Sequence, residues 1–253
     1  MAAQGSDPLH TSTQLDTPRE WGLTPRVAAL VEVLICSSIP TQLLIGALLH
    51  LAGWSARDGS GRLSLAFVLT LSIADTVLLI GLMVALTRVH GERVVELWLG
   101  RRPPAREAIY GALLVPVVFL LVGVLMNLLT TAAPWLHNVP DNPLEQLAGT
   151  PARTAMLAGV AIFAGGVREE LQRAFLLRRF ERQLGGAAVG IIALSVAFGL
   201  GHSVQGWDAV ITTGLLGAFW AVLYLRRRSM VAPLVSHAGF NALEVLRVAV
   251  WGT

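Results

Sequence analysis

Residues 105–129 read AREAIYGALLVPVVFLLVGVLMNLL, and this stretch decides the fold. After Arg106 and Glu107 it carries no charged side chain. A helix rises about 1.5 Å per residue, so about 20 mostly apolar residues cross the hydrocarbon core of a bilayer. Six more segments of this kind flank it, near 26–54, 63–88, 154–177, 186–203, 207–225 and 230–251. The first is long enough to tilt or to break near Pro40, and 186–203 is short. An eighth, interfacial or re-entrant helix stays open. The expected fold is all-α: a polytopic transmembrane helix bundle of about seven to eight spanning helices.

Composition agrees. Of 253 residues, 54% are hydrophobic and 14% charged, where a soluble domain carries about 25% charged residues. The net charge of +3 is small and dispersed, which argues against a nucleic-acid partner and leaves the lipid bilayer as the surrounding medium. Every basic side chain is arginine, a mark of a GC-rich genome and of a bacterial inner (cytoplasmic) membrane as the expected location. Cys36 is the sole cysteine, so no intrachain disulfide or cysteine metal site can form. The opening MAAQGSDPLHTSTQLDTPRE lacks the basic and apolar regions of a cleaved signal. Three regions are expected: a disordered tail over 1–24, N-terminal transmembrane helices over 25–150, and a site-bearing transmembrane region over 151–253.

The loops alternate in charge. Residues 88–106 hold Arg88, Arg93, Arg101, Arg102 and Arg106, while 130–150 hold no arginine. Arg178, Arg179 and Arg182 follow, then an arginine-free loop at 204–206, then Arg226–Arg228. The positive-inside rule places the arginine-rich loops in the cytoplasm. Arg57 and Arg62 fall on the other side and run against the pattern. Trp54, Trp98, Trp135, Trp207 and Trp251 stand near span ends, as an interfacial aromatic belt requires.

Ionisable residues inside spans cost about 2.5–3.5 kcal/mol each and therefore need a reason. The last four spans are rich in them: AGGVREELQRAFLLRRF with Arg168, Glu169, Glu170 and Arg173; AFGLGHS with His202; SHAGFNAL with His237 and Asn241. Arg173 lies within helical reach of both glutamates. Phe198 and His202 share one face, as do His237 and Asn241. Glycine and alanine neighbours let such helices approach closely. A carboxylate in a low-dielectric cavity suits a general base, and imidazole and amide groups can hold water or an oxyanion. The blander reading treats Arg173 with Arg178, Arg179 and Arg182 as an end-of-span signal. It treats the glutamates and His237–Asn241 as packing devices. Glu32 and Asp75 stand alone in early spans with no evident partner, and Glu244 and Arg247 read as a local ion pair.

Glu169-Glu170…Arg173, Phe198…His202 and His237…Asn241, in order on successive helices, resemble the motifs of the CPBP family of intramembrane proteases. That family includes the CAAX prenyl endopeptidases. The resemblance covers about residues 154–245. It implies a membrane endopeptidase cleaving near the C-terminus of a membrane-associated or lipid-modified protein or peptide. By analogy Glu169 activates water with His202, His237 and Asn241 stabilise the oxyanion, and Glu170, Arg173 and Phe198 support the site. The family pattern has three residues between the glutamates and the arginine; here Leu171 and Gln172 alone intervene, so the base can be Glu169 or Glu170. A divalent metal such as zinc is the one cofactor the donors suggest, with Glu169, His202 and His237 as its ligands, although no His-Glu-x-x-His motif is present. The alternatives are a non-catalytic membrane immunity or regulatory protein and a small-solute transporter.

Overall fold

The computed structural model describes residues 23–140 and 142–251. The tail expected over 1–24 lies outside the described residues, save for its last two, which open the first helix. The elements are α1 (Leu23–Ile35), α2 (Ile39–Leu51), α3 (Leu65–Val89), the short α4 (Val94–Trp98) and α5 (Pro104–Ala132). A rod then runs through α6 (Pro151–Val160), a π-helical segment (Ala161–Arg168) and α7 (Glu169–Gln183), followed by α8 (Ala187–Leu200), α9 (Trp207–Arg227) and α10 (Val231–Trp251). Among the described residues there is no strand, only an isolated bridge between Arg57 and Leu63.

Every expected segment is helical. By length and composition, three helices can cross a membrane, namely α3, α5 and α9, and a fourth span results if α1 and α2 count as one. Their outer faces are apolar and open: Val77 is 68% exposed and Leu120 68%. Such faces suit lipid, which offers backbone amides no partner and therefore favours helices. The chain is an integral membrane protein.

The first span breaks, as its length suggested. α1 and α2 meet at 42°, with Ser38 in the left-handed region at φ 71° and Pro40 in the first turn of α2, where its missing N–H is not needed. The break frees the Cys36 carbonyl, and Gln172 Nε2 donates to it over 2.6 Å. A backbone group released within a bilayer is thus paired by a side chain of α7, as it must be.

Close contacts rest on glycine. A Cβ at Gly239 of α10 would lie 2.6 Å from Val115 of α5, and one at Gly111 would lie 2.5 Å from the Ala232 carbonyl. At Gly166 a Cβ would stand 2.6 Å from the Ala238 side chain and 2.8 Å from its Cα. Small residues at such crossings allow van der Waals packing that lipid cannot replace. Gly166→Val therefore forces the π segment away from α10 and should destabilise the fold by about 1–3 kcal/mol. A lower unfolding temperature in detergent, absent for Gly159→Val at an open position, is the check.

The arginine-rich segments gather at one end. Glu92, in the turn before α4, takes Arg179 at 3.4 Å, Arg178 at 3.8 Å and also Arg182. Arg228 pairs with Glu181 at 2.8 Å, Arg227 with Glu107 at 2.6 Å, and Arg102 donates to the Arg227 carbonyl over 2.9 Å. At the other end, the arginine-free loop before α6 meets the turn before α9: His137 Nδ1 donates to Asp208 at 2.6 Å, and Trp207 N to Asn138 at 3.0 Å.

Three sequence expectations need correction. Glu32 is partnered by Arg179 at 2.5 Å and His90 at 2.5 Å, and Asp75 by Arg168 at 2.7 Å and Thr41 at 2.5 Å. Arg173 and Arg179 are buried, so neither belongs to a solvated end-of-span cluster. Trp98 is buried as well, its indole N–H donating to the Leu171 carbonyl at 3.2 Å; it is core rather than belt. Apart from Arg173, which pairs with Glu170 on its own helix, the partners lie far away in sequence. Glu244 and Arg247 do pair, at 3.0 Å, with Glu145 joining at 3.2 Å.

Candidate active site

The polar groups of α7 and α10 meet where the glycines allow it. His237, buried in the second turn of α10, donates from Nδ1 to Glu170 Oε1 over 2.8 Å. Arg173, three residues on from Glu170, donates to the same oxygen. The carboxylate is thus shared between an imidazole and a guanidinium with almost no exposure to solvent. The His237 ring stacks on Trp220 of α9 with centroids 3.8 Å apart and planes 15° apart. With Nδ1 protonated toward Glu170, the tautomer leaves Nε2 as an acceptor. Nε2 lies 3.8 Å from Glu169 Oε2, too far for a direct hydrogen bond and close enough for a shared water.

Glu169 itself is held from behind. Arg168 Nη2 donates to its Oε1 at 3.0 Å, while Nη1 of the same guanidinium reaches Asp75 and Ser38, each at 2.7 Å. Arg168 therefore ties α3 and the start of α2 to the glutamate pair. Asp75→Asn should weaken this buried pairing by about 2 kcal/mol. It should also lower activity by letting Arg168 turn fully onto Glu169; unfolding temperature and turnover, measured together, check both.

Phe198 and His202 lie one turn apart at the end of α8. Their rings are 4.8 Å apart, Phe198 stands edge-on to His237 at 6.1 Å, and the Arg173 guanidinium lies over Phe198 at 4.9 Å. His202 Nδ1 donates to the Phe198 carbonyl over 2.8 Å, which again leaves Nε2 as acceptor. Asn241, one turn beyond His237, donates to the Ala161 carbonyl at 2.9 Å, opposite Gly165. That carbonyl opens the π segment. π turns recur at functional sites because they release and redirect backbone groups.

A cavity of about 640 Å³ joins these groups; His202, His237, Asn241, Phe198 and Trp220 all line it. Its volume falls in the range of ligand sites. Glu169 and Glu170 are not in its wall: Glu170 lies behind His237, and the Glu169 side chain is 16% exposed beside Arg168. His202, just past the end of α8, and His237, in the second turn of α10, both border this one hollow. Among the described residues no three His, Cys, Asp or Glu side chains are placed to hold a metal ion. Glu169, His202 and His237 are not gathered around one point in this arrangement.

Sequence reasoning missed Trp220, Arg168 and Asp75. Arg168 and Asp75 were legible as opposite charges in spans, each needing a partner; the stacking of Trp220 on an imidazole left no sequence signal.

The membrane bundle thus holds a carboxylate–imidazole–guanidinium cluster beside a cavity. Residues 150–243 match the type II CAAX prenyl endopeptidase Rce1-like family, and this part of the chain carries a domain of that family. Its general type is that of an intramembrane endopeptidase. No curated protein and no solved structure matches the chain.

Proposed function

We propose that the protein hydrolyses a peptide bond in a membrane-associated or lipid-modified protein or peptide, near its C-terminus, in the inner membrane of a bacterium. The observation that carries this reading is the pairing of His237: Nδ1 on Glu170 at 2.8 Å, Nε2 facing Glu169 at 3.8 Å. A water between Glu169 and His237 Nε2 would pass its proton to the carboxylate as it attacks the carbonyl carbon. Asn241 Nδ2, which spends one N–H on the Ala161 carbonyl and keeps the other, is the group available for the developing oxyanion. Collapse of the tetrahedral intermediate then breaks the C–N bond, with the proton on Glu169 delivered to the leaving amine.

The purified protein should cleave membrane peptides with apolar C-terminal segments, and His237→Ala should abolish that cleavage while retaining the fold. Equal cleavage by the two proteins would end the hydrolytic reading. The non-catalytic alternative drew on the short Glu-Glu-x-x-Arg spacing, and Glu170 and Arg173 pair in spite of it.

A further inference from the structure

The lining of the cavity lies toward one end of the bundle, and that end is identifiable. Its walls come from the C-terminal half of α5 (Phe119 to Met126), α9 from its first turn to Trp220 and α10 from its second turn onward (His237 to Val248). These stretches run toward the end where α5 stops and α9 begins. The loop 137–148 and Gln205 form the rim. Toward the other end the way is closed. Trp98, Leu171, Phe175, Leu177, Tyr224 and Met230 are buried together in the main apolar core. The Trp98 indole, the Tyr224 hydroxyl and the Met230 amide each bond a backbone carbonyl across this plug, at 3.2, 3.0 and 2.8 Å.

The closed end is the arginine-rich one. Segments 88–106, 178–182 and 226–228 lie there together, whereas the rim loops 133–150 and 201–206 carry no arginine. Arginine bias in short loops sets orientation, and the arginine-rich side faces the cytoplasm.

We infer that the site takes its substrate from the extracytoplasmic face, between the loops 133–150 and 201–206, so that its substrate class is exported or outward-facing membrane peptides with apolar residues beside the scissile bond. The walls Phe119, Val122, Met126, Leu216 and Phe240 fit such side chains, and a chain confined to the cytoplasmic leaflet would meet the plug. The substrate part of this inference rests on the hydrolytic reading; the placement of the mouth does not.

The test uses the full chain with Cys36→Ala, so that one introduced thiol reports alone. Thr213→Cys lies in the cavity wall and Val95→Cys on the exposed arginine-rich end. A membrane-impermeant charged methanethiosulfonate should modify Thr213→Cys at least tenfold faster in right-side-out vesicles than in inverted ones. Val95→Cys should show the reverse. Gln205→Cys at the rim serves in place of Thr213→Cys if that variant does not fold. Modification of both positions from one face, reversal of both, or protection of Thr213 and Gln205 cysteines from both faces would overturn the inference. An apolar membrane peptide should likewise be cleaved at least tenfold faster by right-side-out vesicles, and faster cleavage by inverted ones counts against it. Labelling as expected with no cleavage in either orientation leaves the mouth where it is placed and overturns the hydrolytic reading instead.

Discussion

Glu169→Gln lowers turnover by about two to four orders of magnitude, the loss expected when a positioned general base is removed, while the unfolding temperature changes little. Glutamine keeps the shape and can still accept from Arg168 Nη2, now 3.0 Å from Glu169 Oε1, so the ties to α3 survive. What disappears is the proton acceptor facing His237 Nε2 at 3.8 Å. The Arg168–Asp75 pair remains, so no buried charge is stranded. Single-turnover cleavage with the purified variant, read beside a thermal melt in detergent, is the measurement. A variant that melts normally and cleaves normally removes Glu169 from the chemistry and leaves His237, backed by Glu170, as the base.

The fold and the site were legible to different depths. Apolar run lengths located every long helix, and the excess of polar residues after position 160 located the site, because lipid penalises both exposed backbone and stray charge. Pairing was not legible. The spacing of Glu169, Glu170 and Arg173 allowed either glutamate to meet the arginine, and only the rotation of α7 against α10 selects Glu170. That rotation depends on the π segment, which has no signature in residue type. A π turn holds one more residue per hydrogen-bonded ring than an α turn. It lies directly before a glutamate pair that is one residue closer to its arginine than the related pattern. The pairings of Glu32 and Asp75 were unreadable for a simpler reason: their partners Arg179 and Arg168 stand more than ninety positions away.

Arg173→Ala produces the largest loss of stability, about 3–5 kcal/mol, because it leaves the Glu170 carboxylate buried without its cation. Glu170 is 1% exposed and Arg173 6%, so water cannot substitute for either partner. His237 Nδ1 stays as the remaining donor to Glu170, and the protein responds by protonating the imidazole or the carboxylate. Either response disturbs the tautomer that presents Nε2 as an acceptor, so activity falls together with stability. Two roles can then be separated by a paired replacement. Glu170→Leu with Arg173→Met removes both charges at similar volume, and buried ion pairs replaced in this way often lose little stability or gain some. The double variant should therefore melt above Arg173→Ala yet remain inactive, since His237 has lost the carboxylate that fixes its ring. Recovery of cleavage with recovery of the melt would mean that Glu170 only holds the helices together, and that the orientation of His237 comes from its stacking on Trp220 alone.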